Sequence, residues 1–182
     1  MKVWKAMSFG LFLALGTPML VSAQTVEQRP APDFVAGGQW FNSPPLSIHD
    51  LRGKVVLVNV WVYSCINCSS SLPTLQGWYS RFKNQGFEIV GVHTPEFESD
   101  EPASSVAAAI RKEKVTWPVV QDNARATWKA YHAEFWPSFY LIDRKGNIRA
   151  VYSGEISSRF PRQIPAIEKA IQELVTEPSP AG

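Results

Sequence analysis

Cysteine is scarce. The 182 residues contain two, Cys65 and Cys68. A bond between them would close too short a loop to restrict the unfolded chain much, so the pair does not read as a structural staple. Two cysteines also make an incomplete metal site, and no second pair exists to complete it. Histidine is equally sparse. His49, His93 and His132 are scattered along the chain, and each reads as an ordinary surface or core residue, so no metal is expected. Charge of one sign is lacking too: the formal net charge is +2, too little for a nucleic-acid partner. There is no G-x-G-x-x-G stretch, so neither a flavin nor a dinucleotide is expected. Internal repeats and low-complexity tracts are absent, and one stretch apart, so are long apolar runs.

That stretch is at the start. Met1-Lys-Val-Trp-Lys5 is positively charged, Ala6 to Val21 is mostly apolar, and Val21-Ser22-Ala23 places small residues where a signal peptidase reads. The expectation is a secretory signal over residues 1–23, cleaved after Ala23, with export across an inner membrane to the periplasm. An uncleaved anchor is the rival reading, but the run is short for spanning and is broken by Gly16, Thr17 and Pro18. Losing Lys2 and Lys5 takes the formal net charge from +2 to 0. Residues 24–182 read as one domain with a core over about 31–175, large enough to bury itself. Nothing demands more than a monomer. In an oxidising compartment disulfides persist, and one close cysteine pair there suggests reaction rather than architecture.

The pair sits at a junction. Val55 to Val62 is an apolar, β-branched run that reads as a buried strand. It breaks at Tyr63-Ser64 and passes into a helical pattern reaching about Asn84. Leu72, Leu75, Tyr79 and Phe82 continue from Cys68 at helical spacing, so Cys68 is expected to face the core. Cys65 falls in the first turn, where backbone N–H groups are unpaired, and Ser64 is the expected N-cap. The positive end of a helix favours a thiolate. Cys65 is therefore the expected nucleophile, and Cys68, one turn along, the thiol that resolves the mixed disulfide. Pro73 is expected to kink the helix.

Around this unit the chain reads simply. Gln24 to Pro32 is a loose leader. Asp33 to Ile48, with Gly37-Gly38 and Pro44-Pro45, suggests a short hairpin. Phe87 to Val92 is a second buried strand, completing a parallel βαβ unit. A loop over His93 to Glu101 leads to a helix over Pro102 to Lys114, a short strand at Trp117 to Val120 and a short helix at Ala124 to Tyr131. Ser138 to Ile142 and Ile148 to Tyr152 form an antiparallel hairpin. Pro161 to Val175 is a last amphipathic helix, with Ile164, Ile167, Ile171 and Leu174 on one face.

This order resembles the thioredoxin fold: an α/β domain with a central mixed sheet flanked by helices, here with an N-terminal hairpin and a strand–helix insert. It is most similar to the exported TlpA-like branch and, within it, to the thioredoxin-like domain of the DipZ type. The residues that carry the resemblance are Leu51-Arg-Gly-Lys-Val-Val-Leu-Val-Asn-Val-Trp61, Tyr63-Ser-Cys-Ile-Asn-Cys68, Leu72-Pro73, Gly91-Val-His-Thr-Pro-Glu-Phe97 and Trp136-Pro-Ser-Phe-Tyr-Leu-Ile-Asp143. The resemblance implies a thiol–disulfide oxidoreductase with Cys65 attacking, Cys68 resolving, and a cis Pro137 beside them. Its cofactor is its own Cys65–Cys68 disulfide. Its partners are protein thiol or disulfide clients and a redox protein that resets the pair. The backbone of Trp136 would pair with an extended client segment. Trp61, Tyr63 and Trp136 are expected to surround the disulfide as an apolar docking surface.

The sequence departs from its relatives at two places. Asn59 stands where many thioredoxins keep a buried carboxylate, and Ser71 where many TlpA-like proteins carry Glu. Glu96, on the loop after the second strand, is the candidate acceptor for the proton of Cys68. Two other functions are open. A thiol peroxidase of the redoxin type is one, although Val60-Trp-Val-Tyr-Ser-Cys65 lacks the Thr and Pro that precede a peroxiredoxin's reactive cysteine. A copper-handling protein without turnover is the other, although its relatives space the cysteines one residue wider and add a histidine ligand, which His93 or His132 would have to supply.

Overall fold

The computed structural model describes residues 28–35 and 38–178. The expected signal peptide lies outside them. Among the described residues, no helix is long and apolar enough to cross a membrane.

Two short strands come first, β1 (Arg29–Pro30) and β2 (Trp40–Phe41). The apolar run then forms β3 (Val55–Trp61), buried throughout. Such a strand needs neighbours on both edges and cover on both faces. After α1 (Ile66–Phe82), β4 (Phe87–His93) pairs with it in parallel. After α2 (Ala103–Lys112), β5 (Val119–Gln121) extends the parallel set. α3 (Ala126–Ala130) leads to β6 (Ser138–Ile142), antiparallel to the other edge of β3, and β7 (Asn147–Ser153) closes a hairpin with β6. α4 (Ile164–Thr176) is the last regular element among the described residues. The sheet runs β1-β7-β6-β3-β4-β5-β2. This is the thioredoxin-like α/β arrangement, a mixed sheet flanked by helices.

The N-terminal hairpin expected over Asp33–Ile48 does not form. β1 pairs with β7 at one edge of the sheet, with Arg29 opposite Ile148. β2 pairs with β5 at the other, with Trp40 opposite Val120. The leader is likewise not wholly loose, because Arg29-Pro30 is part of the sheet. The cause is apolar surface. Phe34, Ile48 and Leu51 have a sheet face to cover, together with Tyr131 and Ala133, over Val56, Val58 and Val60. A segment that crosses that face reaches both edges, where unpaired backbone groups accept it.

The opposite face carries Leu57 and Trp61 of β3 and is covered by α1, α2 and α4. Cys68, Leu72, Leu75, Trp78 and Phe82 of α1 are buried there. Ile167, Ile171 and Leu174 of α4 are buried in the same cluster, with Ile164 packed at its margin. α1 continues through Pro73, whose ring is exposed. The helix tightens over Lys83–Gln85 and stops at Gly86 with φ 79°, a left-handed turn that glycine adopts without strain.

Leu75 is fully buried in the middle of α1. Leu75→Ala should destabilise the fold by about 2–5 kcal/mol, read as a lower urea midpoint at unchanged slope.

Candidate active site

β3 and α1 meet at Val62–Cys65. Cys65 is the residue just ahead of the helix, in extended conformation, and its side chain caps nothing. The expected N-cap, Ser64, is turned elsewhere: its hydroxyl donates to Asp100 Oδ2 at 3.0 Å. The first-turn N–H groups therefore stay free to face the sulfur. Those of Asn67 and Cys68 do so and favour the Cys65 thiolate. Cys65 is half-buried and Cys68 is 2% exposed, and both are free thiols.

The two thiols are driven apart. Cys65 is lowered to about 6, first by a hydrogen bond from the Cys68 thiol, with the two backbone N–H groups adding to it against partial burial. Cys68 is pushed far up, first by burial and then by the proton it donates to Cys65. A half-buried sulfur that favours the thiolate thus sits beside a buried thiol one turn away. The Glu96 charge raises both thiols and is the smallest of the influences named for each; its side chain is exposed.

The peptide between Trp136 and Pro137 is cis. The Cys65 thiol reaches the Trp136 carbonyl at 3.9 Å. The Trp136 indole is fixed from three sides: its Nε1 donates to Thr94 O at 3.0 Å, Trp128 packs at 4.1 Å between ring centres, and the Arg125 guanidinium lies over it at 5.4 Å. Thr94 in turn donates its hydroxyl to Asp122 Oδ2 at 3.1 Å, while the Asp122 carboxylate also accepts the N–H groups of Thr127 and Trp128 at the start of α3. A second buried carboxylate does the same on the other side of Cys65. Asp100 Oδ2 accepts from Ser64 and from the N–H groups of Glu96 and Phe97, which ties the Glu96 loop to the residue before the nucleophile. Sequence reasoning missed both. Asp122 carried a signal, an acidic residue shortly before a helix. Asp100 had only its place ahead of Pro102.

Tyr63 stacks on His93 at 5.4 Å and donates to Ser99 O at 2.8 Å. Trp61 does not reach the surface. It is 1% exposed, because odd-numbered residues of β3 face the helices, so it takes no part in the docking surface expected of it. Exposed apolar side chains next to the site residues are instead Ile66, Phe97 and Phe135. Asn59 is buried in the core, and Ser71 donates to Asn67 O at 2.7 Å while accepting Ile156 N–H at 3.0 Å. Among the described residues, no three His, Cys, Asp or Glu side chains gather in a metal-holding group. His49 and His132 are exposed, and His93 is buried.

The family model described as AhpC/TSA matches residues 28–151. The chain belongs to the AhpC/TSA family. Within that family it is similar to the protein DipZ of Mycobacterium bovis, 39% identical over 137 residues, which are 74% of this chain and 20% of DipZ. The chain thus spans a fifth of the length of that relative. It is also similar to the thiol-disulfide oxidoreductase ResA of Geobacillus kaustophilus, 32% identical over 70% of this chain and 69% of ResA. Among solved structures, a thiol-disulfide isomerase from Corynebacterium glutamicum superposes with a TM-score of 0.69 at 29% identity, over 81% of this chain and 98% of that one.

In this family member, burial lowers His93 to about 4, and the Asp100 charge draws it back only in part. An unfolded histidine titrates near 6.5. Between about 6.5 and 4 the unfolded chain takes up a proton that the folded chain does not, so stability present above that window is lost as pH falls through it. The loss should be on the order of 3 kcal/mol. His93→Phe, which keeps an aromatic ring, should remove that part of the acid destabilisation in urea titrations.

Proposed function

We propose that this chain is an exported thiol–disulfide oxidoreductase that exchanges disulfides with protein clients. One observation carries the reading: two thiols one helical turn apart, the outer one held at about 6 and the inner one pushed far up. Relatives named as thiol-disulfide oxidoreductases support it. The Cys65 thiolate attacks a client disulfide, forms a mixed disulfide and expels the other client sulfur as a thiolate. Cys68 loses its proton and attacks Cys65 Sγ. The mixed disulfide breaks, both electrons pass to the client sulfur, and the Cys65–Cys68 disulfide remains. A redox partner then resets the pair, and the reverse sequence oxidises a client. No other cofactor enters, and the working unit is a monomer.

The client lies as an extended segment against the Trp136 backbone, with Tyr63, Trp136 and the exposed Ile66, Phe97 and Phe135 taking its apolar side chains. Pro137 completes this wall. Glu96 is the proposed final acceptor of the Cys68 proton. The proposal of export to the periplasm rests on the residue pattern of positions 1–23. A thiol peroxidase is the second reading, favoured by a low-pKa thiolate open to oxidants. Rapid peroxide consumption by the reduced protein would put it ahead.

The deciding experiment is the reduction potential of the pair in glutathione and dithiothreitol buffers. A value near about −270 mV marks a reductant, one near about −120 mV an oxidant or isomerase, and a pair that equilibrates with neither buffer removes disulfide exchange as the function. Two variants probe the steps. Cys65→Ser should abolish exchange, and Cys68→Ser should accumulate a mixed disulfide with the client. Alkylation of Cys65 should rise with pH around a midpoint near 6, and Glu96→Gln should move that midpoint lower. An unchanged pH dependence of the Cys68 step in Glu96→Gln would remove Glu96 as the acceptor.

A further inference from the structure

A cavity of about 580 Å³ opens beside the cysteine pair, lined by Asn67, Glu155, Phe160, Arg162 and Gln163. Small-molecule sites usually hold roughly 300–1,000 Å³. Asn67 stands between the two cysteines, and its backbone N–H faces the Cys65 sulfur. The other four residues come from the segment that joins β7 to α4, and none of the five belongs to the wall around Trp136. The segment is fixed in place. Ser71 Oγ donates to Asn67 O at 2.7 Å and accepts the Ile156 N–H at 3.0 Å, which joins the turn bearing Asn67 to the segment. An ionised glutamate at position 71 could only accept, so this joint belongs to the serine. The Gly154 N–H donates to Pro137 O at 2.9 Å, and Gln163 Nε2 donates to Ser153 O at 3.0 Å. The Phe160 N–H donates to Ser157 O at 2.9 Å, and the Phe160 ring stays half exposed.

The charges here are of both signs and are not spent on each other. The Arg162 guanidinium has no ion-pair partner among the described residues. The Glu155 carboxylate accepts the Ser157 hydroxyl on Oε1, which leaves Oε2 over. A second guanidinium, that of Arg159, lies over the Phe160 ring at 5.4 Å. Two cations and one anion thus flank an aromatic ring and the side-chain amides of Asn67 and Gln163. The complementary molecule carries two carboxylates, one ammonium and amide groups. Next to Cys65 it also carries sulfur. The interior of a protein chain has no free ammonium or carboxylate of its own backbone, so the match is to a small peptide thiol. We propose that this cavity binds a small peptide thiol with two carboxylates and one ammonium, and that this thiol resets the oxidised Cys65–Cys68 pair. The resetting half rests on the oxidoreductase reading; the binding half does not.

In the bound molecule one carboxylate meets the fork of Arg162, the other Arg159, and the ammonium meets Glu155. Its thiolate attacks Cys65 Sγ. Depth decides the target, since Cys68 is 2% exposed. A bond forms between Cys65 and the small-molecule sulfur, and the Cys65–Cys68 bond breaks. Cys68 leaves as a thiolate and takes up a proton, because burial favours its neutral form. A second thiolate of the same kind attacks the small-molecule sulfur of the mixed disulfide and expels Cys65 as the thiolate that its surroundings favour. Two electrons have passed from two thiols to the pair, and the small disulfide departs. Arg162, Arg159 and Glu155 hold the reductant and take no part in the exchange itself.

Two measurements test this, with glutathione as the probe. The first reads binding without chemistry. S-methylglutathione, which has no thiol, is titrated into the reduced protein while the side-chain amide resonances of Asn67 and Gln163 are followed by nuclear magnetic resonance. Saturable shifts at both are expected in the wild type and none in Arg162→Glu. Shifts that do not saturate, or that persist in Arg162→Glu, overturn the proposal. The second is the rate at which glutathione reduces the oxidised protein, divided by the rate with uncharged dithiothreitol. The glutathione rate should saturate. Arg162→Glu should lower the ratio on the order of tenfold, by raising the half-saturating concentration and not by lowering the limiting rate, and Arg162→Lys should keep most of it. Glu155→Gln should lower the ratio for glutathione but not for its analogue without the amino group. Arg162 is exposed, so its variants keep the core intact. A ratio unchanged in Arg162→Glu, or a wild-type rate that stays linear in glutathione, overturns the resetting role. Failure of dithiothreitol to reduce the pair would refute the oxidoreductase reading instead, while the binding site would still stand or fall on the first measurement.

Discussion

The closeness of two thiols at different depths organises the site: Cys68 is kept out of water and Cys65 is half-buried, so the inner sulfur holds its proton and favours the thiolate of the outer one. Burial alone would make both thiols poor nucleophiles. The one-turn separation changes that, because the inner sulfur keeps its proton and lends it to the outer one. Cys65 then gains two backbone N–H groups that nothing else caps. The difference between the thiols is therefore built from depth, spacing and an open helix end, with no charged side chain as its main cause.

Keeping that geometry takes the ends of several strands. Two buried carboxylates do most of the tying. Asp100 joins the Glu96 loop to Ser64, and Asp122 joins the end of β4 to α3 and, through Thr94, to Trp136. Each accepts several hydrogen bonds, which satisfies a carboxylate removed from water. The wall beside Cys65 is thus held by polar groups, while its outward surface is apolar at Ile66, Phe97 and Phe135. Rigid support beneath an apolar face fits the client docking proposed above.

Much of the fold was legible because the βαβ unit announces itself: an unbroken β-branched run, an amphipathic helix with Cys68 on its apolar face, and a second run of the same kind. The N-terminal segment was misread for a physical reason. Turn residues at Gly37-Gly38 and Pro44-Pro45 say that a chain bends, but two short strands pair with whatever edge is free, and the free edges here are those of β7 and β5. Trp61 was misplaced for a related reason, since a tryptophan near a reactive cysteine looks the same in sequence whether it faces solvent or core.

The sequence by itself determined the chemistry available to this protein: one cysteine pair at a strand–helix junction, no motif for a nucleotide cofactor, and no carboxylate at position 59 or 71. These are matters of residue identity and local spacing, which need no distant contact. Only the tertiary structure decided how the pair is tuned and what surrounds it. Ser64 turns to Asp100 rather than capping the helix, the Trp136 carbonyl comes to Cys65 from 71 positions away, and Trp61 and Trp117 close over Gly91. Those outcomes depend on register between strands and on which face of the sheet each side chain takes. A one-residue slip would reverse every one of them, and pairing of that kind is written only in the folded whole.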